Sequence, residues 1–224
     1  MKKIIIISIY CFYFFSVLFT RAQDRAGIYK IYISIDRKLT HPIQISANGN
    51  IIQNGSLNAT RLSDLDIELI KKMIENTVSS ELRAQTECIY RKNRNGNEIK
   101  TNDFGSTVRG LPVSSKKTAV RLHEKEYYVS ISIFFNALQR TSFGASLVGM
   151  KQYRPTVTIR ITAYNDQRKP VYRKRIYVND FEKLQSFEYN TNGVQTQIFQ
   201  VLTTEQIRQM IEKSLNQLIE RGKQ

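Results

Sequence analysis

The chain has 224 residues, of which 41% are hydrophobic and 24% charged, and lysine plus arginine exceed the acids by 34 to 19 for a formal charge of +15. A chain this long buries about 70% of its unfolded surface, so it needs no metal or disulfide staple to fold. The even spread of aliphatic and aromatic residues excludes wholesale disorder.

Residues 1–22 read as an export signal. Lys2 and Lys3 precede an apolar stretch from Ile4 to Phe19, and Thr20-Arg21-Ala22 puts small residues where a signal peptidase reads. Cleavage is expected after Ala22, because the apolar run is shorter than the roughly 20 residues of a spanning helix. Loss of Lys2, Lys3 and Arg21 would lower the charge from +15 to +12 and leave residues 23–224 as a single domain. No later window is apolar over 18 residues, so no transmembrane span is expected after processing. The expected location is exported, periplasmic or extracellular. Cys11 follows Tyr10 rather than a small residue, which argues against lipoprotein processing. Cys88 is then the lone thiol, read as a small buried apolar residue. The dilysine start and isoleucine-rich leader look bacterial, so the sequons at Asn54 and Asn58 are read as unused.

From Ile28 to Asp36 the residues alternate, with Tyr29, Ile31, Ile33 and Ile35 on one face, which predicts a half-buried strand. Ile43 to Ser46 and Ile51 to Gln53 flank Asn48-Gly49 and predict a small hairpin. The period then changes to three or four. Ile67, Ile70, Ile74, Val78 and Leu82 form one stripe of a helix with Ser63 as its N-cap and Asp64 and Asp66 in the first turn. Glu87 to Arg91 reads as a further strand, and residues 91–117, rich in Asn, Gly, Lys and Arg, read as a long exposed loop.

Tyr127 to Phe135 alternates Val129, Ile131, Ile133 and Phe135 with Tyr128, Ser130, Ser132 and Phe134. Thr156 to Tyr164 and Val171 to Val178, joined by the turn 165–170, predict an antiparallel hairpin. Thr203 and Gln206 form a capping box opening a last helix with Ile207, Ile211, Leu215 and Leu218 on one stripe. This order predicts an α+β two-layer sandwich, a mainly antiparallel or mixed sheet with two helices on one face and the other face open.

The segment 144–149 has the glycine spacing of a phosphate-binding loop, but Met150 stands where that motif needs lysine. It reads instead as a small-residue loop. With Phe143, Gly144, Leu147, Val148, Gly149 and Met150 it becomes a candidate interaction loop if its apolar side chains are exposed. His41, Cys88 and His123 show no paired spacing for a metal and no family signature of a nucleophilic triad, so no cofactor is expected. A hydrolase with an unrecognised carboxylate pair remains an alternative. Arg160, Arg173 and Arg175, interleaved with Tyr164 and Tyr177, are a candidate polyanion-binding set on an open sheet face. The ordinary reading of the same residues is a solvated face whose charges discourage edge pairing.

The helix Ser63 to Leu82, the strand Tyr127 to Phe135, the hairpin Val157 to Tyr172 and the closing helix Thr204 to Leu218 together resemble the small α/β domain of bacterial cell-envelope proteins. That group includes curli-secretion pore subunits, exopolysaccharide-export lipoproteins and lipoprotein activators of peptidoglycan synthases. The resemblance implies a non-enzymatic protein that assembles with envelope proteins or with copies of itself. The sequence therefore predicts an exported, non-catalytic cell-envelope protein acting through protein contacts or self-assembly. A binder of an anionic polysaccharide or lipid headgroup is the alternative, and an exported compartment disfavours nucleic acid as the polyanion.

Overall fold

The computed structural model describes residues 24–41, 43–47, 50–52, 62–99, 110–122, 124–145, 148–191 and 194–220. Strand β1 (Arg25–Ile35) leads through a 3-10 turn (Arg37–Leu39) to β2 (Ile43–Ala47) and β3 (Asn50–Ile52). Helix α1 (Asp64–Leu82) follows, then β4 (Gln85–Cys88), β5 (Arg91–Lys92), β6 (Glu98–Ile99) and helix α2 (Lys116–Leu122). The chain continues as β7 (Tyr127–Ala145), β8 (Val148–Tyr164), β9 (Pro170–Val178), β10 (Leu184–Thr191) and β11 (Val194–Phe199), and ends in α3 (Thr204–Glu220).

Among the described residues nine strands form one mixed sheet in the order β3-β2-β11-β10-β8-β7-β1-β4, with β9 also paired to β8. The hairpin of β7 and β8 is its spine. At 19 and 17 residues these strands reach about 63 and about 56 Å at about 3.3 Å per residue. Their proximal halves pair with β1 and β9, and the distal half of β8 pairs with β10. β1 runs parallel to both β4 and β7, pairings that need long crossovers rather than hairpins.

Alternation on the proximal strands turns Ile31, Ile33, Val129, Ile131, Ile159 and Ile161 toward α1 and α3, which lie on the same face and touch each other. Each such side chain, at 0–1% exposure, is worth about 1.5–3 kcal/mol of burial. The two-layer α+β arrangement is thus the fold, with helices α1 and α3 on one face. The Ser63 hydroxyl caps α1 by accepting from the Asp66 N–H, and Asp66 accepts from the Ser63 N–H. Thr203 and Gln206 do the same for α3.

Four local expectations change. A β-bulge between Ile28 and Lys30 breaks the alternation of β1. Ile28 therefore joins the main core, while Tyr29 turns into a second cluster with Ile89, Ala119 and Tyr128. One inserted residue flips every side chain beyond it to the other face. Second, α2 was not anticipated and lies on the face expected to be open, its Ala119 packed in that second cluster. Third, residues 91–117 are not one exposed loop. Residues 91–98 are exposed, but β5 pairs with β6, Leu111 is 1% exposed, and the Pro112 carbonyl accepts from the Ile31 N–H at 3.0 Å. Fourth, β10 and β11 add a hairpin that the sequence reading lacked.

Candidate functional site

Opposite α1 and α3, the sheet presents the other half of each alternation. Ser132, Arg160 and Arg175 stand directly abreast on β7, β8 and β9. One row toward α2 come Ser130, Thr162 and Arg173, and one row the other way Phe134, Thr158 and Tyr177. The small residues at 130, 132, 158 and 162 leave lateral room for the long arginines. Arg160, Arg173 and Arg175 are exposed. No carboxylate among the described residues forms an ion pair with any of them. The contrast lies within the same strand: Lys174, facing the helices, is held at 2.7 Å by Glu81 of α1, which also accepts from the Tyr172 hydroxyl. Burial and then Glu81 hold the Tyr172 phenol well above the usual tyrosine range.

Like charges directly opposite on neighbouring strands repel. Arg160 meets this partly by lying 5.5 Å from the centroid of the Phe134 ring, which itself meets Tyr32 of β1 at 5.8 Å in a tilted contact. Tyr177 is 42% exposed and offers a free ring beside Arg175. Four of the five predicted residues thus converge, and Tyr164 does not join them. It borders the second cluster under α2, with the Lys116 ammonium 4.1 Å over its ring. Burial, and then proximity to Tyr164, push the Tyr29 phenol up to about 12. Phe134 and Tyr32 were missed as site residues, although their place on the outward half of the β1 and β7 alternations was a usable signal.

The predicted interaction loop is the end of a paired hairpin. Phe143 stands opposite Met150 and Gly144 opposite Gly149, and pairing continues to Ala145 and Val148. Alternation carries the ladder past the glycines, whose missing side chains do not interrupt backbone pairing. Leu147 lies outside the described residues, as do the side chains of Phe143 and Val148.

Cys88 is partly buried, and its N–H donates to the Glu75 carboxylate at 2.8 Å. Burial first, and then Glu75, push its thiol far above the ordinary range, so it is held protonated at neutral pH. His41 Nδ1 shares a hydrogen bond with the Thr40 hydroxyl at 2.8 Å, and His123 lies outside the described residues. Among the described residues no three His, Cys, Asp or Glu side chains gather as a metal site, and no helix is long and apolar enough to cross a membrane.

No protein-family model and no curated protein matches the chain. Among solved structures it is similar to a neuraminyllactose-binding hemagglutinin homolog from Helicobacter pylori, at 9% identity and a TM-score of 0.39, covering 91% of this chain and 85% of that one. It is also similar to the hypothetical protein CT253 from Chlamydia trachomatis, at 9% identity and a TM-score of 0.36, covering 89% and 95%. At scores this low neither similarity carries a conclusion about fold or activity.

Proposed function

We propose that this is an exported, non-catalytic bacterial cell-envelope protein that works by binding through its surface, and that the outer face of β7, β8 and β9 takes an anionic polysaccharide. The observation that carries the reading is the abreast pair Arg160 and Arg175, with Arg173 one row away and no carboxylate partner among the described residues. A face kept only for solubility would mix both signs and relieve the opposed pair with an acid. Here the face supplies forked guanidinium donors at sheet spacing, matched to carboxylate or sulfate groups repeated along a polymer. Phe134 and Tyr177 supply flat apolar surface beside them, against which sugar rings stack. The export signal sets the compartment, and a polysaccharide is the polyanion that compartment offers.

Joint reversal of Arg160, Arg173 and Arg175 to glutamate tests the reading. At physiological salt, calorimetric binding of a polyuronate is expected to weaken by more than about tenfold, since exposed pairs contribute up to about 1 kcal/mol each. Tyr177→Ala is expected to weaken it less and to leave its salt dependence unchanged, because it removes stacking and no charge. Unchanged binding in the charge-reversal variant would overturn the assignment. Protein contact is a second reading, favoured by the apolar rows at the far end of the sheet.

A further inference from the structure

On the side carrying Phe187 the distal part of the sheet is exposed, whereas on its other side Leu184 joins the main core and Ser186 and Phe199 are buried. β10, β11, β2 and β3 pair with their neighbouring strands, and no described helix packs on them with more than marginal contact. The register aligns one position from each strand into a single row, Phe143, Met150, Phe187, Ile198 and Ile43, running across β7, β8, β10, β11 and β2. The next row, through Val148 and Tyr189, is also free of charged residues. Phe187, Tyr189 and Ile198 are 39%, 39% and 40% exposed. Charge is instead placed on the opposite face, where Lys151 and Glu188 neutralise each other at 2.8 Å.

We infer that this face is where a second copy of the chain docks, sheet against sheet, around a two-fold axis passing near Phe187. The charge pattern selects this occupant. A bilayer-docking surface sets lysine and arginine among its apolar side chains to meet headgroups, and these two rows have none. Two copies of a chain carrying +12 after loss of Lys2, Lys3 and Arg21 from the +15 of the full sequence repel over most of their surfaces and approach best through a patch without charge. Charge depletion with Phe, Tyr and Met enrichment is also the composition of a protein interface centre.

The area suffices. Six strands about 4.8 Å apart, contributing from three residues in β3 to eight in β10 at about 3.4 Å each, present on the order of 600 Å² per copy. That makes about 1,200 Å² in the pair, the lower bound for a specific interface. Two apolar sheet faces meet about 10 Å apart as in a β-sandwich. Phe187 occupies the middle of the five-residue row, so an isologous contact sets it against its own copy. The inference does not rest on the anion reading, which concerns the proximal half of the sheet.

Sedimentation of the protein, as its host processes it, from about 1 to about 100 µM is the test. The expected result is a reversible dimer whose dissociation constant rises at least about tenfold when Phe187→Ser and Ile198→Ser are combined. The glutamate reversal of Arg160, Arg173 and Arg175 should leave dimerisation intact, which separates the two proposals. Phe187→Cys guards against a folding defect in the double variant: a bismaleimide long enough to span about 10 Å should link it into a covalent dimer that the parent chain does not form. A chain that stays monomeric throughout would overturn the inference, as would a double variant that dimerises like the parent or a Phe187→Cys chain that does not cross-link. So would a monomer whose binding to vesicles of phosphatidylcholine and phosphatidylglycerol is lost in the double variant, which would give the face to a bilayer.

Discussion

Arg160 and Lys174 stand abreast of neighbours on adjoining strands, yet only the lysine meets a carboxylate. Lys174 turns toward α1 and Glu81, while Arg175, one residue on, turns to the open face and meets Arg160. An opposed like-charge pair costs roughly 0.2–1 kcal/mol relative to a neutral one, a small cost for the anion-binding role proposed for this face. The arginine spacing was legible in the sequence because alternation alone assigns faces. The absence of a described partner acid was not, since any of the 19 acids could have folded against it. Tyr29 bears on stability at the same scale. Its phenol titrates near 10 when exposed and near 12 in the fold, so the unfolded chain loses its proton first as pH rises. The stability this phenol contributes is complete below pH 10 and is lost as pH climbs toward about 12. Urea midpoints measured from pH 9 upward should therefore fall across that window, and Tyr29→Phe should make the fall shallower.

Elements with strong local signals formed where the sequence placed them. The stripe of α1 buries Ile67, Ile70, Ile74 and Val78, and its capping box is closed at Ser63 and Asp66. Ser63→Ala should cost about 1 kcal/mol and lower the thermal midpoint by about 2–4 °C, with anion binding unchanged. Elements with weak signals escaped. α2 is a seven-residue helix, two turns at most, too short for a period to show. β10 and β11 bury Leu184, Ser186 and Phe199 on one face and expose Phe187, Tyr189 and Ile198 on the other, so their apolar residues fall on both faces and give no clean alternation. Asn192-Gly193 between them was the usable hairpin signal. The bulge in β1 gave no local sign, because it is set by register against β7 and by Val113 bridging Lys30.

Over the whole molecule, stability is uneven. The proximal sheet is covered by α1 and α3 on one face and in part by α2 on the other, whereas β10 reaches the main core only at Leu184 and β11, β2 and β3 are held mainly by strand pairing. Local opening should therefore cost least in the distal half. Hydrogen exchange should be slowest at amides of Ile131, Ile133, Ile159 and Ile161, and fast in β10 and β11 at low concentration. Protection in β10 and β11 should grow as concentration rises, since a docked second copy supplies the missing layer. Uniform protection along the spine, independent of concentration, would contradict this division.

By itself the sequence determined whatever depends on neighbours a few residues away: the strand alternations, the helix stripes, the caps and the side of β8 and β9 that carries arginine. Those follow from backbone periodicity, which each segment possesses alone. Only the tertiary structure decided the parallel pairing of β1 with β7 and β4, the flip of Tyr29, the cover of Lys116 over Tyr164, and the apolar row that crosses five strands. These depend on register between segments far apart along the chain, and a shift of one residue in any ladder would have exchanged the faces.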